Sequence, residues 1–277
     1  HALNYPSVKG LGFSNGKIII GQSEKGFWIY DPANRTFKRP SFATDSLQQR
    51  FQKEFNRNML KLRNGNFLII SGGTWLLEKE TFRITSLPKT DAFSAARSVY
   101  EDELGRIWLM GRNGITVTDQ HFKILYHLKD EIRGRWYNGV VQIDDSTYWI
   151  AAKVLYEAKL QPQQKMVLRP IFPELRNVHF SSLFKDSIGN IWMCGNDGMY
   201  RFINSKKILE KFDRGDNVYN FYEGVSNHFR SRNGTVYFGS MNGINYFVPE
   251  KIPQQDDSLV VHLLNVTVNK DDSSFLL

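Results

Sequence analysis

The chain holds a single cysteine, Cys194, among 277 residues. One thiol excludes an internal disulfide and any zinc site built on cysteine pairs. No apolar run reaches the roughly 18 residues that would mark a membrane-spanning helix. Neither a charged leader nor a cleavage pattern opens the sequence, so it reads as a mature or excised piece. Enzyme signatures are equally scarce. There is no Gly-x-Ser-x-Gly elbow, no His-Glu-x-x-His pair and no phosphate-cradling Gly-Lys-Ser/Thr loop. The six histidines show no ligand spacing on a helix, and Asp213 to Asp216 lacks calcium-loop spacing. Acidic residues are the minority charge: 28 Asp and Glu stand against 36 Lys and Arg, a net charge of +8. That balance favours anionic partners, although the cations are scattered and form no basic stripe or tail of the kind nucleic acid demands.

What the chain does have is aromatic residues, 20 Phe, 12 Tyr and 6 Trp, and a repeat. The clearest copies run from Asp102 through Gly105, Ile107 and Trp108 to Gly111, and from Asp186 through Gly189, Ile191 and Trp192 to Gly195. A third runs from Arg232 through Gly234 to Gly239, weaker ones start at Asn15 and Asn64, and a degenerate one starts at Asp145. Anchored on Gly16, Gly65, Gly105, Ser146, Gly189 and Gly234, the spacings are 49, 40, 41, 43 and 45. A period of roughly 40–45 residues is that of one four-stranded propeller blade.

Each copy reads as a pair of hairpins. Asp three residues before Gly suits a type I turn. The run that follows, such as Ile107 to Met110, is apolar throughout, as a strand covered on both faces requires. Asn113-Gly114, Asp197-Gly198 and Asn242-Gly243 then mark a second tight turn, because Asn-Gly and Asp-Gly tolerate positive φ. The expected fold is therefore an all-β propeller of four-stranded antiparallel blades. Six repeats are visible, near 5–42, 44–87, 88–130, 131–172, 173–215 and 216–253, which leaves a six-bladed, seven-bladed or partial ring open. The fourth repeat lacks the turn glycine. Between the first two repeats, Leu47, Phe51, Phe55 and Met59 recur every fourth residue after Asp45, which predicts a short inserted helix capped by Asp45.

The pattern Asp-x-x-Gly-x-Ile-Trp, then Gly, then Asn/Asp-Gly, resembles the two-component regulator propeller, the periplasmic sensor of hybrid two-component systems best known from gut Bacteroidetes. The last repeat, Tyr222 to Phe229 with Gly234 to Gly239 and Asn242 to Pro249, resembles the closing repeat of these sensors. Residues 254–277, with Val260 to Asn269, look like the start of a truncated Ig-like module. The resemblance covers about nine tenths of the chain. It implies a sensor rather than a catalyst: an extracytoplasmic, periplasmic segment of a membrane-anchored hybrid histidine kinase, dimeric through the parent protein, binding an oligosaccharide, with no cofactor, no metal and no nucleic-acid contact of its own. The charge favours an acidic glycan. Two other readings stay open, a propeller glycan hydrolase or lyase and a protein-interaction scaffold.

In a propeller the loops that lead into the innermost strands and those that join second to third strands share one end. Arg135, Trp136 and Tyr137 lead into the fourth repeat, His179 into the fifth and Tyr219 into the sixth, while Arg112 and Lys153 belong to the second class. Aromatic faces stack on sugar rings, and cations grip carboxylates or sulfates. These seven residues are the candidate ligand contacts. For Trp136 and Tyr137, packing between blades is an equal alternative.

Overall fold

The computed structural model describes residues 8–22, 26–88, 90, 93, 96–112, 114–129, 136–216, 218, 228–240, 243–254, 267–270 and 273–276. In it each complete Asp-x-x-Gly turn is tied by its own aspartate. The Asp102 Oδ1 accepts from the Leu104 and Arg106 amides at 3.0 and 2.8 Å, and the Gly105 amide donates to the Asp102 carbonyl. Gly105 has φ +76°, the left-handed conformation glycine adopts without strain. The other carboxylate oxygen, Oδ2, accepts from the Trp108 indole at 3.1 Å, from the Tyr148 hydroxyl at 2.8 Å and from the Arg106 Nε at 2.7 Å. Asp186 repeats the device with the Ile188 and Asn190 amides and the Trp192 indole. The six-residue step from Asp to Trp thus has a physical cause: one carboxylate closes the turn and receives the buried indole N–H.

The strands that follow are sandwiched. Ile107 and Leu109 pack on the second repeat while Trp108 and Met110 pack on the fourth. Ile191 and Met193 likewise face the fourth repeat, and Trp192 and Cys194 the sixth. Six antiparallel sheets, here called blades 1 to 6, stand round a central channel. Blade 1 comprises Val8–Ser14, Lys17–Gln22, Gly26–Asp31 and Thr36–Lys38. Blade 2 comprises Asn58–Lys61, Phe67–Ile70, Thr74–Leu77 and Arg83–Ser86, extended by Ser41–Phe42, which pairs in parallel with Arg83 and Ile84. Blade 3 comprises Ala96–Glu101, Ile107–Gly111, Gly114–Thr118 and Ile124–Lys129; blade 4, Gly139–Gln142, Thr147–Ala151, Leu155–Gln161 and Lys165–Pro170. Blade 5 comprises Phe180–Lys185, Ile191–Gly195, Gly198–Ile203 and Ile208–Phe212. Blade 6 shows three strands among the described residues, His228–Arg230, Val236–Ser240 and Gly243–Phe247, where four were expected.

The degenerate fourth repeat makes a regular four-stranded blade. Ser146 stands where glycine stands elsewhere, and its turn runs without a left-handed residue because Asp144 Oδ1 accepts from the Ser146 and Thr147 amides. The inserted helix spans Asp45–Lys53, shorter than its spacing suggests. Its N-cap is Thr44, not Asp45: the Thr44 backbone is extended and its hydroxyl accepts from the Leu47 amide. Asp45 instead lies in the first turn, where a carboxylate suits the positive end of the helix dipole. The helix stops at Glu54, whose carboxylate is held by Arg50 Nε at 3.1 Å and by the Trp75 indole at 2.8 Å. Phe55 is exposed, and Met59 belongs to a strand of blade 2. Beyond blade 6, the chain shows a hairpin of Thr267–Lys270 with Ser273–Leu276; most of the residues read as an Ig-like start lie outside the described ones.

Asp102 is fully buried and satisfies three side-chain donors at once. Asp102→Ala leaves the Trp108 and Tyr148 donors without an acceptor in a core. It should cost roughly 3–5 kcal/mol of unfolding free energy in urea titration; a loss below about 1 kcal/mol would contradict the stapling role.

Candidate functional site

The first strand of every blade lines a central channel of about 910 Å³. The first strands of blades 1, 3 and 5 break register near their beginnings, between Val8 and Gly10, Ala96 and Ser98, and Phe180 and Ser182. The extra residues are Lys9, Arg97 and Ser181. Bulges re-aim side chains, and here they fall at one end of the channel, the upper mouth. Asparagines brace the same end: the Asn58 amide donates to the Arg97 carbonyl at 3.4 Å and the Asn138 amide to the Phe180 carbonyl at 3.1 Å, each reaching the next blade.

Trp136, half-buried, is brought against Arg97, whose guanidinium lies 5.2 Å from the ring centroid. The pair stands one and two residues from Ser98 and Asn138 on the channel wall. Arg112 and Lys153 are exposed on the second-to-third-strand hairpins of blades 3 and 4, at that same end. His179 is half-buried; its amide donates to Asn196 Oδ1 at 3.0 Å, and the Asn196 amide returns a bond to its carbonyl. Tyr137 is different. Its side chain is fully buried in the core between blades 3 and 4, 6.5 Å from the Tyr156 ring, so packing, not ligand contact, is its role. Adjacent residues of an extended segment point to opposite sides, and only Trp136 points out of the core. Arg135 and Tyr219 lie outside the described residues.

Arg97, Lys9, Asn58 and Asn138 were not among the residues singled out from sequence. Asn138 follows Trp136 closely enough to have been chosen with it; the bulges that aim Lys9 and Arg97 leave no local signature.

At the lower mouth the charges are matched. Lys185 Nζ lies 2.8 Å from Glu103, and Lys61 Nζ donates to the Phe13 carbonyl at 2.7 Å. Burial pushes the Tyr100 hydroxyl up to about 12, with Asp102 and Glu103 adding to it. On the channel wall between blades 5 and 6, His228 Nδ1 and Ser182 Oγ share a hydrogen bond of 2.9 Å, and the imidazole packs between Phe184 and Phe238. Burial among these rings pulls the imidazole down to about 4.

No protein-family model and no curated protein sequence matches the chain. Solved structures do. The extracellular domain of BT3049 from B. thetaiotaomicron, assigned as a hybrid two-component system, superposes with a TM-score of 0.71 at 19% identity over 99% of this chain and 39% of that one. The extracellular domain of BT4673 from the same organism gives 0.65 at 15% identity, over 89% of this chain and 34% of that one. The chain has the propeller fold of these extracellular domains. It spans between a third and two fifths of their length. Virginiamycin B lyase from Staphylococcus aureus shares the fold at a TM-score of 0.57 and 13% identity, with 87% of this chain covering 84% of the lyase. Since 87% of 277 residues is about 241, and 241 is 84% of about 287, roughly 46 residues of the lyase have no counterpart here, close to one repeat.

The histidine gives a pH test. An unfolded imidazole titrates near 6.5, the folded one near 4, so across that window the unfolded chain binds the extra proton and stability falls as pH drops. Up to about 3 kcal/mol should be lost between pH 6.5 and 4, and His228→Gln should flatten that part of the profile. A variant profile as steep as the parent's would rule out His228 as the source.

Proposed function

We propose that this chain is a propeller segment of the extracytoplasmic sensor of a two-component protein, and that the upper mouth takes an oligosaccharide, acidic rather than neutral. The observation that carries the reading is the Arg97–Trp136 pair at the channel mouth. An indole face offers a flat apolar platform for a pyranose ring, and a guanidinium beside it supplies a fork of donors matched to a carboxylate or sulfate. Lys9, Arg112 and Lys153 add exposed cations at that end. The asparagines that brace neighbouring blades there make the mouth a rigid frame, which lowers the entropy lost on binding. The fold likeness to extracellular domains assigned to two-component systems supports a sensing role, with the signal carried through a dimer of the membrane-anchored parent. Both copies would then respond to ligand at the mouth by a shift of one propeller against the other.

The hydrolase reading has less support in this geometry. Two convergent carboxylates would be needed, and the channel-lining Glu103 is already paired with Lys185. His228, with its imidazole held neutral among aromatic rings, is a weak base at neutral pH.

Isothermal titration against neutral, uronic and sulfated oligosaccharides tests the proposal. An acidic member should bind, with affinity falling as salt rises, and Trp136→Ala and Arg97→Ala should each weaken it by about tenfold or more. Absence of binding across the panel, or full affinity in both variants, would refute the site. Turnover of any glycan would favour the enzyme instead.

A further inference from the structure

The hydrophobic clusters between blades number five for six blades, joining 1 to 2, 2 to 3, 3 to 4, 4 to 5 and 5 to 6. The two outermost faces are apolar and uncovered. In blade 5, Trp192 pairs across from Phe184 and turns toward blade 6. In blade 6, Tyr237 holds the matching position, across from Phe229, and Phe229 is 65% exposed. Phe229, Tyr237 and Tyr246 form a ladder with ring centroids 6.2 and 6.0 Å apart, and Tyr246 is 70% exposed. At the other end, a side chain at Gly10 or Gly12 would strike Met59 or Phe67 of blade 2. The alternate residues, Leu11 and Phe13, therefore point away from blade 2 and are 69% and 59% exposed. Leu11 and Phe229 both border the channel, so the uncovered faces flank one slot in its wall. Apolar faces of this kind on a soluble protein mark a missing partner.

We infer that a further blade, formed by residues of the polypeptide that precede His1, occupies this slot. The partner must present a sheet face, because each of the five clusters is one sheet face on another. Consecutive repeats occupy consecutive places, so a blade immediately before blade 1 sits on the Leu11–Phe13 face and reaches the Tyr237 ladder. The chain after blade 6 heads the other way. Arg201 of blade 5, paired with buried Glu210, donates to the Ile252 and Pro253 carbonyls at 2.8 and 2.7 Å, and its guanidinium lies over Trp192. That strap holds the outgoing segment on the blade 5 side of blade 6, away from the slot. The stretch of about 46 residues by which the S. aureus propeller exceeds the matched region is of one blade's length.

The full extracytoplasmic region and the 277-residue chain should be treated side by side with N-acetylimidazole and mapped by mass spectrometry. Tyr237 and Tyr246 should be modified in the short chain and protected in the monomeric long one. In the long chain Tyr246→Lys should lower the melting temperature by about 5 °C or more, and in the short chain by about 1 °C or less, because only the long chain buries that position. Equal modification in both proteins would overturn the inference. So would protection in a short chain that proves dimeric by light scattering, since a second copy would then be the occupant.

Discussion

A buried carboxylate that closes a turn and accepts an indole N–H holds this structure together. Trp108 and Trp192 are fully buried, and a tryptophan placed between two sheets removes about 150–250 Å² from water only if its N–H finds an acceptor. The aspartate supplies that acceptor, and its own burial is offset by the turn amides it receives. Desolvation alone would raise the Asp102 carboxyl; the donors Arg106, Trp108 and Tyr148 outweigh it and hold the group below the usual carboxylate range. The contact also crosses blades, because Tyr148 belongs to blade 4 and Asp102 to blade 3. Each turn is thereby coupled to the seam beside it, and the seams fix where the first strands, and so the channel wall, stand.

This explains what could be read in the chain and what could not. The turn glycines, the wholly apolar second strands and the tryptophans are local in sequence, so Asp102 to Gly111 and Asp186 to Gly195 disclosed the blades directly. The fourth repeat was legible only as a weak copy, since Asp144 and Ser146 solve the turn with side-chain hydrogen bonds instead of a left-handed glycine. The helix boundary was misread because Thr44 and Asp45 both make good caps, and the local backbone decides between them. Met59 fits a helical spacing yet pairs in a strand, as its position opposite Ile69 shows.

The candidate site was less legible than the fold. Trp136 and Tyr137 are neighbours with opposite fates, one beside Arg97 at the mouth and one in the core, and only the orientation of the segment separates them. Arg97 and Lys9 owe their places to bulges, whose register is set by pairing with a strand many residues away. Charge is likewise distributed by topology. The lower mouth matches Lys185 with Glu103, while the upper one gathers Lys9, Arg112 and Lys153 from three different blades.

Hydrogen exchange of the tryptophan indoles tests the stapled seams most directly. The Trp108 and Trp192 indole hydrogens should exchange only with global unfolding, far more slowly than that of Trp28, whose half-buried ring lies on the uncovered side of blade 1. Exchange of Trp108 and Trp192 at the rate of Trp28 would contradict the account.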